Sequence, residues 1–407
     1  MPYLTATRQK IDANHGWQAD TAIQRASRWM LDRAIPLWAR NGVDWERGGY
    51  VEQMAFDGSA RPVDFKRTRV IGRQIYVFSH AALLGRDDAL ECARFGHDFL
   101  TRNAWLGPDG GWARLLTPDG RVKDATPDLY DLAFILYAFG WYRRASGDEA
   151  ADQWALRTLD FIETHMRHPG GQGFLVEKPA SGARLQNPHM HLLEAALINL
   201  EASGDARFRR LADEIVGLFA TRFFDPRTST LGEHFDERWN RLRNAEGRAI
   251  EPGHQFEWAW ILARYQRLTG CDMRPFVEGL TWFAETHGVE HDDWLTLSAV
   301  RDDGTVLDAG SRVWPNTERI QAAVAMFELF GIDPRPVFAS STRVLFDHFL
   351  DRGHSPDRKL AGTWMDRIDA ERRPVTDHVP ASTLYHLTIA FAEMIRIAPE
   401  VEDAFPS

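Results

Sequence analysis

The chain has 407 residues, of which 44% are hydrophobic and 26% charged, a balance typical of a globular protein with a large core. Its formal net charge of −10 argues against a nucleic-acid partner, because such surfaces normally carry a basic patch. No run of 18 apolar residues is present, and residues 1–20 show no signal-peptide pattern, so we expect a cytoplasmic protein without a membrane partner.

Two kinds of turn alternate along the chain. The first is a glycine-rich or polar turn that ends in an aromatic residue, and its six occurrences end at Tyr50, Trp112, Phe174, Phe235, Trp294 and Trp364. The second is a glycine followed closely by aspartate, as in Gly147-Asp148, and it comes 30 to 37 residues after each of the first five aromatic residues. Because glycine favours the end of a helix and aspartate the start of the next, each repeat predicts a loop, a first helix, a tight turn and a second helix.

The segments between these turns have helical periodicity. Thr126 and Pro127 suit the start of a helix, and the apolar residues that follow recur with helical spacing up to Gly147. Runs of period two are short and lie near the aromatic loops, where they predict small β-hairpins. We therefore predict an all-α protein with a single domain, residues 1–407, in which six helical hairpins close into an (α/α)6 barrel; an open solenoid is the alternative.

Polar residues recur at similar positions, 13 to 26 residues after each aromatic residue. They are Arg69, Arg73 and Tyr76; Asp128 and Asp131; Asn187, His189 and His191; His254 and Glu257; Trp314 and Glu318; and Tyr385 and His386. In a closed ring the first helices run parallel, so we expect these side chains to meet at one mouth. Three histidines, two glutamates and an arginine without an obvious nucleophile indicate acid–base chemistry.

Each of these residues also has a structural interpretation. A lone helical histidine is more often a hydrogen-bond partner than a catalyst, Arg73 and Glu257 could form an internal ion pair, and Trp314 could belong to the core. His189-x-His191 and His254-x-x-Glu257 could donate to zinc or manganese, but residues two apart on a helix do not face each other. There is no HExxH motif, no cysteine pair, no P-loop and no GxGxxG, so we expect neither a metal nor a cofactor.

Five motifs occur in order along nearly the whole chain. They are Arg73-Gln-Ile-Tyr-Val-Phe-Ser79, Asn187-Pro-His-Met-His-Leu-Leu-Glu-Ala195, Gly253-His-Gln-Phe-Glu-Trp258, Trp314-Pro-Asn-Thr-Glu318 and Ser382-Thr-Leu-Tyr-His386. Together they resemble the motifs of the N-acylglucosamine 2-epimerase superfamily, whose fold is the (α/α)6 barrel. The stretches Gly232-Glu-His-Phe-Asp-Glu-Arg-Trp239 and Pro380-Ala-Ser-Thr-Leu-Tyr-His386 are most similar to the branch of D-mannose isomerases and sulfoquinovose isomerases.

The resemblance implies an aldose–ketose isomerase that acts on D-mannose, or on a related sugar such as D-lyxose or sulfoquinovose, through a cis-enediolate and without a metal. It implies that His386 removes the proton from C2 and that His254 opens the ring and moves the hydroxyl proton, with Glu257 orienting it. The remaining roles implied are oxygen contacts for Arg73 and His191, a hydroxyl contact for Glu318 and a sugar-face contact for Trp314. Further substrate-binding candidates are Asn187, Arg69, Arg238 and Tyr385.

Three other functions remain open. A sugar 2-epimerase of the same family is the first, although Ala381 stands where cellobiose 2-epimerases carry a tryptophan. A glycoside hydrolase on the same barrel is the second, with Asp128 or Asp131 and Glu257 or Glu318 as its two carboxylates. A helical scaffold that binds proteins is the third. For the enzyme, the expected partner is a small monosaccharide, and the sequence leaves open a monomer or a homodimer.

Overall fold

The structure, a computed structural model, describes residues 19–350 and 361–406. Residues 1–18, most of the segment without a signal-peptide pattern, lie outside it. In chain order the helices are α1 (Ala19–Trp29), α2 (Ile35–Asn41), α3 (Thr68–Leu83), α4 (Ala89–Asn103), α5 (Leu129–Ser146), α6 (Ala150–His165), α7 (Asn187–Ser203), α8 (Ala206–Leu218), α9 (Ala245–Arg248), α10 (Pro252–Thr269), α11 (Arg274–His287), α12 (Val313–Phe330), α13 (Arg335–Val344) and α14 (Leu384–Ala404). None of them is long and apolar enough to cross a bilayer.

Six helices form an inner ring, namely α3, α5, α7, α10, α12 and α14. Each packs against the next, and α14 packs against α3, so the ring closes. These helices are buried on all sides; in α5, for example, every residue from 131 to 142 is buried. The helices α4, α6, α8, α11 and α13 lie outside, each packed on the inner helix that precedes it. The predicted (α/α)6 barrel is confirmed.

The sixth helical pair joins the two ends of the chain. Within residues 19–350 and 361–406, the last inner helix, α14, has no outer helix after it. Its outer neighbour is α1, which packs against both α14 and α13. The first helix of the described chain therefore completes the outer ring, which the repeat of turns alone did not predict.

The predicted tight turns are present at the ends of the inner helices. The helices α5, α7, α10 and α12 each end at a glycine with a left-handed backbone, at Gly147, Gly204, Gly270 and Gly331. After one of them, the Asp205 carboxylate accepts a hydrogen bond of 2.8 Å from the Arg207 N–H and caps α8. A different glycine sets the helix spacing, since a Cβ on Gly72 of α3 would lie 2.5 Å from the Phe134 carbonyl oxygen of α5.

Short strands tie the six long loops together at the N-terminal ends of the inner helices. The strands are β1 (Gln53–Met54), β2 (Lys66–Arg67), β3 (Leu115–Leu116), β4 (Val122–Asp124), β5 (Arg184–Leu185), β6 (Phe224–Asp225), β7 (Thr230–Leu231), β8 (His234–Phe235), β9 (Ala249–Ile250), β10 (Ala299–Arg301), β11 (Val306–Asp308), β12 (Ser311–Arg312), β13 (Arg367–Ile368) and β14 (Val379–Pro380). The predicted hairpins are β3–β4, β6–β7 and β10–β11. Neighbouring loops pair antiparallel through β2–β3, β5–β8, β9–β10, β12–β13 and β14–β1, and an Asp128–Glu177 bridge completes the circle.

The six aromatic residues at which the glycine-rich or polar turns end belong to the core. All are buried, and the most exposed of them, Trp294, retains 8% of its accessible surface. Five of these loops begin with an isolated bridge close to the aromatic residue, such as the one between Trp105 and Trp112. The aromatic repeat therefore reflects the anchoring of each loop on the barrel, and these rings are not platforms for a sugar.

Candidate active site

The first two turns of the six inner helices bring polar side chains to the strand-rimmed mouth. On α3, Arg73 donates a 2.7 Å hydrogen bond to the Tyr130 hydroxyl and contacts the Ser382 carbonyl oxygen at 3.4 Å. Its guanidinium lies 4.1 Å from the Phe134 ring centroid and 5.1 Å from that of Tyr385. Within the described residues no carboxylate lies within 4.0 Å of Arg73, so this buried cation remains available to an anion or to sugar oxygens.

His254 on α10 forms a buried pair with a carboxylate. Its Nδ1 lies 3.0 Å from Glu233 Oε2, and the Glu251 carboxylate is 4.0 Å away. Burial alone would lower the pKa of His254, but the charges of Glu233 and Glu251 outweigh it and raise that pKa to about 10. The Glu233 carboxylate also accepts hydrogen bonds from Gln186 and from the Glu251 N–H. His254 is therefore cationic near neutral pH.

His386 on α14 forms a second pair with the opposite electrostatic character. Its Nδ1 lies 2.8 Å from Glu318 Oε1, and Gln321 donates to the other oxygen of that carboxyl group. Burial, together with the charge of Arg73, lowers the pKa of His386 well below its ordinary value. Burial and the charges of Glu257 and Glu194 raise the pKa of Glu318 well above its own. The pair favours a neutral histidine beside a carboxyl group.

Trp314 lies close to both histidines. Its ring centroid lies 5.0 Å from that of His254 and 5.7 Å from that of His386. The indole reaches this position because residue 253 is glycine, where a Cβ would lie 2.4 Å from Trp314 Cζ3. Both histidines therefore lie within 6 Å of one half-buried indole ring, at the same end of the barrel.

His191 and Glu257 form the floor of the site. The Nδ1 atom of His191 lies 3.3 Å from Glu194 Oε2 and 3.8 Å from Glu257 Oε1. Burial lowers the pKa of His191 to about 4, and burial raises the pKa of Glu257 to about 8. Since Glu257 Oε2 has no hydrogen-bond partner among the described residues, it can bind a substrate hydroxyl.

The remaining predicted residues have varied positions. Arg69 pairs with Asp131 at 3.3 Å, and burial raises the pKa of that aspartate to about 7. Tyr385 packs on His386 with a ring-centroid distance of 4.7 Å, and the Oδ1 atom of Asn187, the first residue of α7, has no described partner. Arg238 is exposed on a turn after β8, where only its backbone N–H contacts a carboxylate.

Two of the other sequence candidates have local structural roles. The Asp128 carboxylate caps α5 by accepting the Asp131 N–H at 3.0 Å. Both ring nitrogens of His189 bond to backbone: Nε2 accepts from Phe174 N–H at 3.0 Å and Nδ1 lies 3.0 Å from the Leu185 carbonyl oxygen. His189 therefore points away from His191, as the spacing of two residues predicts.

Sequence reasoning missed Glu233 and Tyr130. Glu233 lies in a loop just before β8, outside the helix positions at which the repeat was searched, although it belongs to the Gly232-Glu-His-Phe motif. Tyr130 is adjacent to Asp131, which was considered, and its hydroxyl is the hydrogen-bond partner of Arg73. A search for carboxylates in the loop that precedes each histidine would have found Glu233.

Among the described residues, three groups of side chains place possible metal-ligand atoms within 4.8 Å of one another. They are His191, Glu194 and Glu257; Glu233, Glu251 and His254; and Glu257, Glu318 and His386. Imidazole with carboxylate is a ligand set that zinc and manganese accept. The expected independence from metals therefore stays a prediction.

Comparisons with known proteins agree with this architecture. Residues 48–390 match the N-acylglucosamine 2-epimerase (GlcNAc 2-epimerase) family. A protein named mannose-6-phosphate isomerase from Rhizobium meliloti is 34% identical over 375 residues, which cover 90% of this chain and 95% of that protein. A cellobiose 2-epimerase from Bacteroides fragilis is 25% identical, covering 76% of this chain and 82% of its own.

A solved structure of a D-mannose isomerase superposes with a TM-score of 0.81 over 94% of this chain and 100% of that one, at 20% identity. At this identity the superposition shows the shared fold alone. The match to the family covers most of the chain, and its range, residues 48–390, contains all five motifs. The chain is therefore an enzyme of the isomerase and epimerase class and belongs to the N-acylglucosamine 2-epimerase family.

Proposed function

We propose that this enzyme is an aldose–ketose isomerase, a single catalytic domain that interconverts D-mannose, or a related aldose such as D-lyxose or sulfoquinovose, with its ketose. The observation that carries the proposal is the contrast between the two histidines beside Trp314. His254 is cationic through Glu233, and His386 is neutral beside Glu318. One proton donor and one proton acceptor beside the same indole ring suit the transfer of a proton between adjacent carbons.

In the first step, Nε2 of His386 removes the proton from C2 of the open-chain aldose. Nε2 can accept this proton only if the ring proton of neutral His386 is on Nδ1. The Nδ1–H group then donates a hydrogen bond to Glu318 Oε1, 2.8 Å away, and Glu318 must be ionised to accept it. Because the pKa of Glu318 is raised, this carboxyl group is still protonated at low pH. The pair becomes active when Glu318 loses that proton. We therefore expect kcat/KM to rise with pH on its acidic limb.

As C2 loses its proton, negative charge develops on O1. His254 donates a proton to that oxygen, which gives the enediol, and then removes the proton from O2 while protonated His386 returns its proton to C1. Arg73 is suited to stabilise the enediolate, because its guanidinium is buried and has no described carboxylate partner. His254 and His386 each finish the cycle with the protons that they had at the start.

The runner-up is a 2-epimerase, in which one histidine removes the proton and the other returns it to the opposite face of C2. That reaction leaves the two histidines with exchanged protonation states at the end of each turnover, whereas the isomerisation restores both within the cycle. The difference between the Glu233–His254 and Glu318–His386 pairs supports fixed roles, and Ala381 in place of a tryptophan supports a monosaccharide substrate. A glycoside hydrolase is less well supported, because Asp128 caps a helix and Asp131 pairs with Arg69.

The relative named mannose-6-phosphate isomerase raises the question of a phosphorylated substrate. Three arginines at the N-terminal ends of the inner helices, Arg67, Arg69 and Arg312, pair with Glu52, Asp131 and Asp366. These pairs leave little free positive charge for an anionic group, so among the candidate sugars they favour mannose or lyxose over sulfoquinovose and mannose 6-phosphate.

The test is incubation with mannose, lyxose, sulfoquinovose, mannose 6-phosphate, cellobiose and a chromogenic mannoside, with products followed by NMR. We expect the matching ketose from mannose or lyxose. His386→Asn, which keeps a polar side chain of similar size, should lower the rate by roughly 10²–10⁴-fold, the range for a lost general base. Release of chromophore, or glucose formed from mannose ahead of fructose, would contradict the proposal.

A further inference from the structure

Glu194 is a buried carboxylate beneath the site that the predicted catalytic set does not include. It lies on α7, one turn after His191, and is 1% exposed. Its Oε2 accepts a 2.6 Å hydrogen bond from the Tyr385 hydroxyl and lies 3.3 Å from His191 Nδ1. Its Oε1 has no hydrogen-bond partner among the described residues.

The two groups that Glu194 contacts belong to opposite sides of the mouth. The Tyr385 ring packs on His386 at a centroid distance of 4.7 Å and lies beside the Arg73 guanidinium at 5.1 Å. The His191 Nδ1 atom is 3.8 Å from Glu257 Oε1. One carboxylate therefore connects the side of the site that holds the proposed base with the side that holds Glu257.

The surroundings of Glu194 leave its charge largely uncompensated. In the described part of the chain, no arginine or lysine lies within 4.0 Å of it, and the histidine at that distance, His191, has a pKa that burial lowers to about 4, so it supplies no positive charge near neutral pH. Five inner helices present titratable or charged groups that interact with it: Tyr76 on α3, Tyr137 on α5, Glu257 and Arg264 on α10, Glu318 on α12, and Tyr385 on α14. An anion at this depth acts through a low dielectric on the carboxyl groups above it.

We propose that Glu194 is a positioning residue for the proposed isomerase: its carboxylate fixes the His191 ring and the Tyr385 hydroxyl, and through them the residues around His386, Arg73 and Glu257. This inference rests on the proposed function. Glu194 does not touch the substrate, so its effect is on the orientation and the protonation of groups that do. The charge of its carboxylate contributes to raising the pKa of Glu257 and of Glu318.

The matched variants are Glu194→Gln and Glu393→Gln. The first keeps the shape and an acceptor oxygen for Tyr385 but removes the charge. The second neutralises a buried glutamate two turns further along α14 from His386, which bonds to Trp260 and Arg396 instead of site residues. Each variant is purified as the full chain, checked for folding by circular dichroism, and assayed from pH 5 to pH 10.

For Glu194→Gln we expect kcat to fall by about 10–100-fold, as for other residues that orient catalytic groups, with KM within about threefold of the parent. The acidic limb of kcat/KM should move to lower pH, because removing a neighbouring negative charge makes Glu257 and Glu318 easier to ionise. Glu393→Gln should leave that limb in place. A folded Glu194→Gln protein with the parent kcat and the parent limb, or an equal displacement in both variants, overturns the inference.

If the parent protein converts none of the sugars, the proposed function fails. The contact between Glu194 and the His191 ring is then tested by NMR alone. Histidine side chains labelled with ¹⁵N give ring-nitrogen shifts that report on protonation and hydrogen bonding, and His191→Gln assigns the signal of His191. We expect the His191 signal to change in Glu194→Gln and to stay unchanged in Glu393→Gln. An unchanged His191 signal in Glu194→Gln shows that the carboxylate does not hold that ring.

Discussion

Replacing Glu233 with glutamine tests whether the charge of Glu233 keeps His254, the proposed general acid, protonated. The side chain keeps its size and an oxygen that can accept from His254 Nδ1, but it loses its charge. In the parent protein the Glu233 carboxylate is buried and lies 3.0 Å from that nitrogen. The pKa of His254 is raised to about 10 mainly because two carboxylate charges outweigh its burial.

The size of the effect follows from this distance. At 3.0 Å and an effective dielectric constant of about 20, two unit charges attract by about 5.5 kcal/mol, which corresponds to a change of about 4 in the pKa of His254. The pKa of His254 in Glu233→Gln should therefore lie near 6. At pH 8 the protonated fraction would fall from nearly all molecules to about one in a hundred. Since the cationic form is the proposed acid, kcat/KM at pH 8 should fall by about 100-fold.

The assay is the pH dependence of kcat/KM for the sugar that the panel identifies. The alkaline limb should move from about pH 10 in the parent to about pH 6 in Glu233→Gln. Glu251→Gln is the comparison variant: that carboxylate is 4.0 Å from His254 and its side chain is 42% exposed, so it should move the limb in the same direction but by less than Glu233→Gln. A folded Glu233→Gln protein that keeps the parent alkaline limb, or an equal effect of Glu251→Gln, would refute the electrostatic argument.

Three further predictions concern the barrel, the cation and the metal. Gly72→Ala should destabilise the protein by about 1–3 kcal/mol and lower its Tm, because the new Cβ would meet the Phe134 carbonyl oxygen at 2.5 Å, while Gly217→Ala, with no atom within 4 Å, should not. Tyr130→Phe should lower kcat/KM by roughly 10–100-fold, since it removes the hydrogen bond to the buried Arg73 cation; an unchanged rate would show that this hydrogen bond does not position Arg73 for the reaction. Dialysis against EDTA should leave the rate unchanged, and activity that is lost to the chelator and restored by zinc or manganese would reverse the metal prediction.

The inner helices and their turns were predictable because the barrel imposes a period on the sequence. Gly147 and Gly204 occupy left-handed positions that favour glycine, and Trp112 anchors its loop in the core, so each recurs in phase. The ring of strands was not predictable in detail, because strands of two or three residues have no measurable alternation. The place of α1 as the last outer helix depends on contact between the chain ends, which no local pattern encodes.

The candidate site was predictable where its residues share one position in the repeat. Arg73, His191, His254, Glu318 and His386 all lie within the first two turns of inner helices, so the common offset selected them. The protonation of these groups was not predictable, since it depends on neighbours from other repeats. Sequence offered no reason to expect that His254 would be cationic and His386 neutral, because Glu233 and Glu318 approach them only in the closed barrel.

The central claim, that one histidine moves a proton between adjacent carbons of a monosaccharide, is tested most directly with mannose deuterated at C2. The protein is incubated with this sugar, and its products are followed by NMR from the first turnovers. The account predicts fructose that carries part of the deuterium at C1, formed before any glucose, and a large loss of this product in His386→Asn. Glucose as the first product, with fructose only as a trace, would contradict it, as would transfer of deuterium to C1 that persists at the parent rate in His386→Asn.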